Sequence, residues 1–408
     1  MSRPRQPEMN IGTAGHVDHG KSTLVQALTG IWPERHSEEL TRGITIKLGY
    51  ANAEFRRCKN CNEPECYTTQ KKCPIDGSPT ELVRLVSLVD CPGHDALMAV
   101  MLAGSTIMDA AIMVIAANEP CPQPQTREHL LALKIMGVKD IVVVQNKIEL
   151  VDDDKALENY NQIVKFLEDG WHEIPPIIPV SALHKANIDV LIHEMVKKFK
   201  VPERDLSKPP KMFVSRSFDV NKPGTPIEDL KGGVIGGALL HGKLKLGDEI
   251  EILPGIRRGN TYQPLTTRVV SLMSEKTSLE EAGPGGLIAV GTELDPSLTK
   301  ADALRGSVVG LAGKLPPAVS SIELEVHLME TVIGLREEKK VEPIRDNEVL
   351  VLNIGTATTS ARVTKVKGGK AELLLTIPAC VEIGQRVAIS RNIGGRFRLI
   401  GYGVVSGV

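Results

Sequence analysis

Two glycines, a lysine and a hydroxyl are spaced as G-x-x-x-x-G-K-[ST] in Gly15-His16-Val17-Asp18-His19-Gly20-Lys21-Ser22. The apolar stretch Met9–Ala14 precedes them, and a helix-like run from Thr23 to Thr29 follows. A strand that ends in a glycine-rich turn and opens a helix aims consecutive backbone N–H groups at one point, which suits a polyphosphate. Asp18, His19, Gly20, Lys21, Ser22 and Thr23 are therefore expected around a nucleoside triphosphate. The Lys21 ammonium would reach the outer phosphates, and the Ser22 hydroxyl would ligate magnesium. Asp18 sets a carboxylate beside phosphates, which is repulsive unless a cation intervenes. A second magnesium, held by Asp18 and the Gly43 carbonyl, is expected there.

Three later segments extend this site. Asp90-Cys91-Pro92-Gly93-His94 closes an apolar run. An aspartate in that place can hold magnesium through water, and Gly93 can offer its N–H to a γ-phosphate. Asn146-Lys147-Ile148-Glu149 closes another apolar run. An amide with a carboxylate matches the guanine edge, because the carboxylate accepts from N1–H and the exocyclic amine, a donor pair that adenine lacks. Glutamate stands here where aspartate is more usual in guanine-binding loops. Ser181-Ala182-Leu183 ends a further strand and could supply backbone donors to the guanine oxygen. Four such segments in this order imply GTP and GDP as ligands and hydrolysis as the reaction.

Seven cysteines are present, four of them within Cys58–Cys73. Cys58-x2-Cys61 puts two thiolates on a tight turn from which both can reach one tetrahedral zinc. Cys73 adds a third, and the fourth ligand is either Cys66 or Asp76. The clustering fits a metal site in a reducing compartment and not a disulfide framework. Cys91, Cys121 and Cys380 are isolated and read as packing residues.

The elements that must position these groups change character along the chain. Up to about residue 200, strand-like runs (Leu85–Asp90, Ala111–Ala117, Ile141–Asn146, Ile177–Ser181) alternate with helical patterns at Gln125–Met136, Lys155–Leu167 and Ile188–Phe199. Nearly continuous apolar strands between helices predict a mostly parallel sheet with helices on both faces, whose carboxyl ends bind ligands. The proline-rich joint Val201–Pro210 then leads into short β-type segments, and a second joint at Gly313–Pro317 divides them. The expected fold is an α/β P-loop GTPase domain over residues 1–203 with a zinc-knuckle insertion at about 56–80. Two small β-barrels, 208–316 and 318–408, complete it.

Composition bounds the partners. With 408 residues the chain needs more than one core, and its net charge of −1 gives no global attraction to nucleic acid or membrane. Aromatic residues make up 3%, too few for a base-stacking platform. The polar start Met1–Glu8 lacks a signal-peptide core, and the apolar run Ile107–Ala117 is too short to span a bilayer. A cytoplasmic protein is expected.

The phosphate loop, the Asp90–His94 run and Arg42-Gly43-Ile44-Thr45 resemble the translational GTPases of the elongation factor Tu group. Further segments, among them Ala117–Arg127, Arg216–Gly224 and Val290–Thr299, resemble the gamma subunit of archaeal and eukaryotic translation initiation factor two. The resemblance implies that Thr45 joins Ser22 and Asp90 around magnesium and that His94 orients the attacking water. Val17 and Ile44 would form an apolar gate before that water. It also implies binding of initiator methionyl-tRNA, a heterotrimer with alpha and beta subunits, and delivery to the small ribosomal subunit. Gamma subunits often carry a second Cys-x2-Cys, whereas here Asp76 stands three residues after Cys73. Arg386, Arg391, Arg396 and Arg398 would suit RNA phosphates or form a solvated face. The rival readings are a selenocysteine-specific elongation factor and a metabolic P-loop GTPase.

Overall fold

The computed structural model describes residues 6–32, 48–94, 98–332 and 339–408. Gly43, Ile44 and Thr45 lie outside the described residues. One compact unit spans Pro7–Pro202, and a second gathers Gln6, Glu203–Val332 and the C-terminal residues.

The first unit opens with β1 (Met9–Ala14), α1 (Lys21–Thr29), β2 (Gly49–Arg57), β3 (Tyr67–Thr68) and β4 (Glu81–Asp90). There follow α2 (Met98–Ser105), β5 (Ala110–Ala116), α3 (Pro124–Met136), β6 (Asp140–Asn146), α4 (Asp153–Gly170), β7 (Ile177–Val180) and α5 (Ile188–Lys198). The strands form one sheet in the order β3-β2-β4-β1-β5-β6-β7. From β4 to β7 every pairing is parallel, whereas β2 runs antiparallel to β4. β1 and β5 are buried at every residue, as strands covered on both faces must be. β2 alternates buried and half-buried positions and carries Glu54 and Arg56, so its apolar signal is diluted and the sequence reading missed it. With β1 between β4 and β5, the phosphate loop emerges among the carboxyl ends of its neighbours. Asp90 ends β4 and Asn146 ends β6.

In the second unit, six strands close a ring: Glu249–Arg258, Val308–Leu311, Lys211–Phe218, Val234–His241, Ile288–Thr292 and Thr261–Ser274. Met212, Ile235, Ile250, Leu272 and Val290 fill it. Ala318–Leu328, Lys370–Cys380, Ala357–Lys367, Val349–Ile354, Arg386–Ile393 and Arg396–Gly407 close another around Leu324, Leu352, Val363 and Ile389. Closing each ring pairs the two strands that an open sheet would leave as edges. Lys211 of the first ring donates at 2.6 Å to Glu382, in the turn between Lys370–Cys380 and Arg386–Ile393, and lies over the Phe213 ring. Arg391 makes contacts within the protein. Its guanidinium donates to Glu348 Oε2 at 3.0 Å and to the Glu342 carbonyl at 2.7 Å, binding one strand to a neighbouring loop.

Candidate nucleotide site and metal centre

α1 starts at Lys21 because Gly20 caps it in the left-handed region, at φ 90°. A Cβ on Gly20 would lie 2.3 Å from Asn146 Nδ2, so the loop needs glycine both for its turn and for this approach. Lys21 Nζ donates to the carbonyls of Gly15 (3.1 Å) and His16 (2.7 Å), curling the loop around the ammonium. Burial lowers the Lys21 pKa from 10.5 to about 8, opposed by the neighbouring Asp90 carboxylate. Gly93 packs against the same group, since a Cβ there would stand 2.5 Å from Lys21 Nζ.

Ser22 Oγ donates to Asp90 Oδ2 at 2.7 Å. Thr13 Oγ1 donates to Asp90 Oδ1 at 2.8 Å and accepts from the Cys91 amide at 3.2 Å. A hydroxyl and a buried carboxylate thus meet beside the lysine, an all-oxygen donor set that fits a hard divalent cation. Val17 is half-buried, while Asp18, at φ 60°, and His94 are exposed.

On the guanine side, Asn146 Nδ2 donates to the His19 carbonyl at 2.9 Å, and Asn146 Oδ1 accepts from the Ala182 amide at 3.0 Å. The Asn146 amide therefore braces the phosphate loop against the Ser181–Leu183 segment. Lys147 adopts φ 64°, and the following turn carries Glu149 exposed. Ser181 Oγ accepts from the His184 amide at 3.2 Å, and Leu183 is exposed.

Several supporting contacts escaped the sequence reading. His129 Nδ1, on α3, accepts from the Gly15 amide at 2.9 Å, and burial lowers its pKa to about 3. His19 Nδ1 meets the Val114 carbonyl at 3.2 Å. Glu119 lies 3.5 Å from its other nitrogen, yet burial outweighs that carboxylate and lowers the His19 pKa to about 4. Both imidazoles are neutral at pH 7. Gln145 donates to Asn159 Oδ1 (2.9 Å), and Asn159 donates to the Glu119 carbonyl (2.7 Å), tying β6 to the loop after β5. Gln145 interrupts an apolar run and was the one visible signal; His129 in a helical pattern offered none.

The cysteine segment follows β2 and contains β3. Ligand atoms of Cys58, Cys61, Cys73 and Asp76 lie within 4.8 Å of one another, and Cys66 is not among them. Glu63 anchors the segment to α5, meeting His193 Nε2 at 3.2 Å, while Tyr67 stacks on the His193 ring.

The profile of the Elongation factor Tu GTP binding domain matches residues 6–201, and that of Initiation factor eIF2 gamma, C terminal, matches 320–405. Translation initiation factor 2 subunit gamma of Pyrococcus abyssi is 60% identical over 407 residues, covering 99% of this chain and 98% of that protein. Its counterpart in Methanocaldococcus jannaschii is 57% identical over the same shares. Among solved structures, the bacterial selenocysteine-specific elongation factor EF-Sec superposes with a TM-score of 0.74 at 24% identity, over 98% of this chain and 58% of that one. Elongation factor SelB from Methanococcus maripaludis, bound to a GTP analogue, gives 0.72 at 21%, over 99% of this chain and 80% of that one. At such identities these two show the fold alone. The likeness to the gamma subunits is close and spans the whole chain, and the nucleotide motifs converge, so the chain belongs to the translation initiation factor 2 gamma-subunit family and is a GTP-hydrolysing translational GTPase.

Proposed function

We propose that this chain is the nucleotide-switched carrier of initiator methionyl-tRNA, acting in a cytoplasmic heterotrimer with alpha and beta subunits and delivering its cargo to the small ribosomal subunit. The full-length likeness to gamma subunits carries the proposal. Lys21 and the loop amides from Asp18 to Thr23 hold the phosphates. Asn146, Lys147, Glu149 and the Ser181–Leu183 segment select guanine. Ser22, Asp90 and Thr45 hold the magnesium, which neutralises charge on the β- and γ-phosphates when bound. Asp18 and the Gly43 carbonyl are assigned to a second magnesium. His94 orients the attacking water behind the gate of Val17 and Ile44, and Gly93 senses the γ-phosphate. Zinc in the cysteine segment is structural. We divide the labour among residues 1–203, 208–316 and 318–408. Binding of initiator and elongator methionyl-tRNA to the reconstituted complex with GTP and with GDP tests the reading. Preference for the initiator tRNA in the GTP form is expected, and equal binding of both tRNAs in both forms would sink it.

A further inference from the structure

We infer that the zinc of the cysteine segment is held by three thiolates and the Asp76 carboxylate, with Cys66 outside the ligand set; this rests on the zinc reading above. A tetrahedral site with zinc–sulfur bonds of about 2.3 Å and a zinc–oxygen bond of about 2.0 Å has edges of roughly 3.8 Å between sulfurs and roughly 3.5 Å between sulfur and oxygen. Cys61 Sγ and Cys73 Sγ are 3.6 Å apart, and Cys58 Sγ lies 3.7 Å from Asp76 Oδ1 and 3.9 Å from Oδ2. Two edges of the site thus already have ligand spacing, and all four donors lie within 4.8 Å of one another.

The surroundings of Asp76 give it the orientation of a ligand. Its Oδ1 accepts from the Ser78 amide at 2.9 Å and the Ser78 hydroxyl at 2.7 Å, which uses both lone pairs. Oδ2 accepts from Asn60 Nδ2 at 2.9 Å, so the carboxylate is held by hydrogen bonds while both of its oxygens stay within 3.9 Å of Cys58 Sγ. The same two residues serve Cys58: the Asn60 amide donates to its sulfur at 3.4 Å, and Ser78 Oγ lies 3.2 Å away. Donors that orient ligands and stabilise their anionic form are what a metal site needs around it. Cys66, though buried, is not among the donors that converge there. Its backbone closes the turn, accepting from the Cys58 amide and donating to the Asn62 carbonyl.

The test uses the full chain with bound zinc exchanged for cobalt(II), whose sulfur-to-metal charge-transfer band grows with each thiolate. One zinc per chain is expected by elemental analysis. Asp76→Cys should raise the band by about a third, four thiolates replacing three, without loss of metal. Cys66→Ser should leave band and affinity unchanged, while Asp76→Ala should yield metal to a chelator at least ~10-fold more readily. Circular dichroism checks that each variant folds. If Cys66→Ser weakens the band and Asp76→Ala changes nothing, the fourth ligand is Cys66 and the inference is wrong. If the purified chain holds no zinc and gives no thiolate–cobalt band, the zinc reading itself fails and the ligand assignment falls with it.

Discussion

Lys21 shows how a single side chain couples burial to ligand chemistry. Its amine carries a pKa near 8 in the free protein, because burial disfavours the ammonium. Phosphates beside it favour the charged form, so the bound state holds its proton to higher pH. Nucleotide affinity should therefore be full below pH about 8 and fall above it, by up to about tenfold per pH unit. Calorimetric titration in buffers of different ionisation enthalpy would reveal the matching proton uptake; a flat profile from pH 7 to 10 would contradict it. His129 and His19 work in the opposite sense. Their folded pKa values, about 3 and about 4, lie below the ordinary 6.5, so the unfolded chain binds protons that the folded chain refuses. Stability should fall as pH drops below about 6.5, by about 1.4 kcal/mol per pH unit for each group. His129→Leu should flatten that slope by one proton while costing about 1–3 kcal/mol for the Gly15 amide left without its acceptor. Thermal unfolding at a series of pH values separates the two effects.

Between elements, Lys211 links the two rings of strands. Its side chain is 4% exposed and that of Glu382 is 53% exposed. Removing either partner breaks the same contact, but the consequences differ. Glu382→Ala leaves a buried ammonium without its carboxylate and should cost about 1–3 kcal/mol. Lys211→Met removes the buried charge and leaves Glu382 to water, so it should be neutral or slightly stabilising. Denaturant unfolding of both variants checks the order, and a larger loss in Lys211→Met would refute it. Strand-level features were legible where burial on both faces forced continuous apolar runs, as in β1 and β5. They were not legible in β2, whose half-exposed positions accept polar side chains.

For the whole molecule, the switch reading requires differential affinity. A nucleotide controls a distant ligand only if that ligand binds the two nucleotide forms unequally, and the coupling is reciprocal. Initiator methionyl-tRNA should bind the GTP form of the heterotrimer about 5–150-fold more tightly than the GDP form, and GTP should gain by the same factor. Affinity should also fall steeply with salt as counterions return to the RNA phosphates. A thermodynamic cycle measured at two salt concentrations tests both, and equal affinity of that tRNA for the GTP and GDP forms would exclude the carrier scheme.

The phosphate loop, the Asp90–His94 run and the guanine motif could be read from sequence because each is a contiguous segment. Such a segment's chemistry depends on its own backbone and on the strand that it terminates. Composition and spacing likewise bounded the fold to a parallel α/β unit followed by barrels. Tertiary structure alone decided which distant groups complete those motifs. Asn146 finds the His19 carbonyl across 127 positions, and His129 finds the Gly15 amide across 114. Asp76 and Cys66 were equal candidates as letters in a chain. They differ because Asp76, held by Ser78 and Asn60, converges with the other three donors, and Cys66 does not. Those choices belong to hydrogen bonds between chain segments, which no local pattern of residue types encodes.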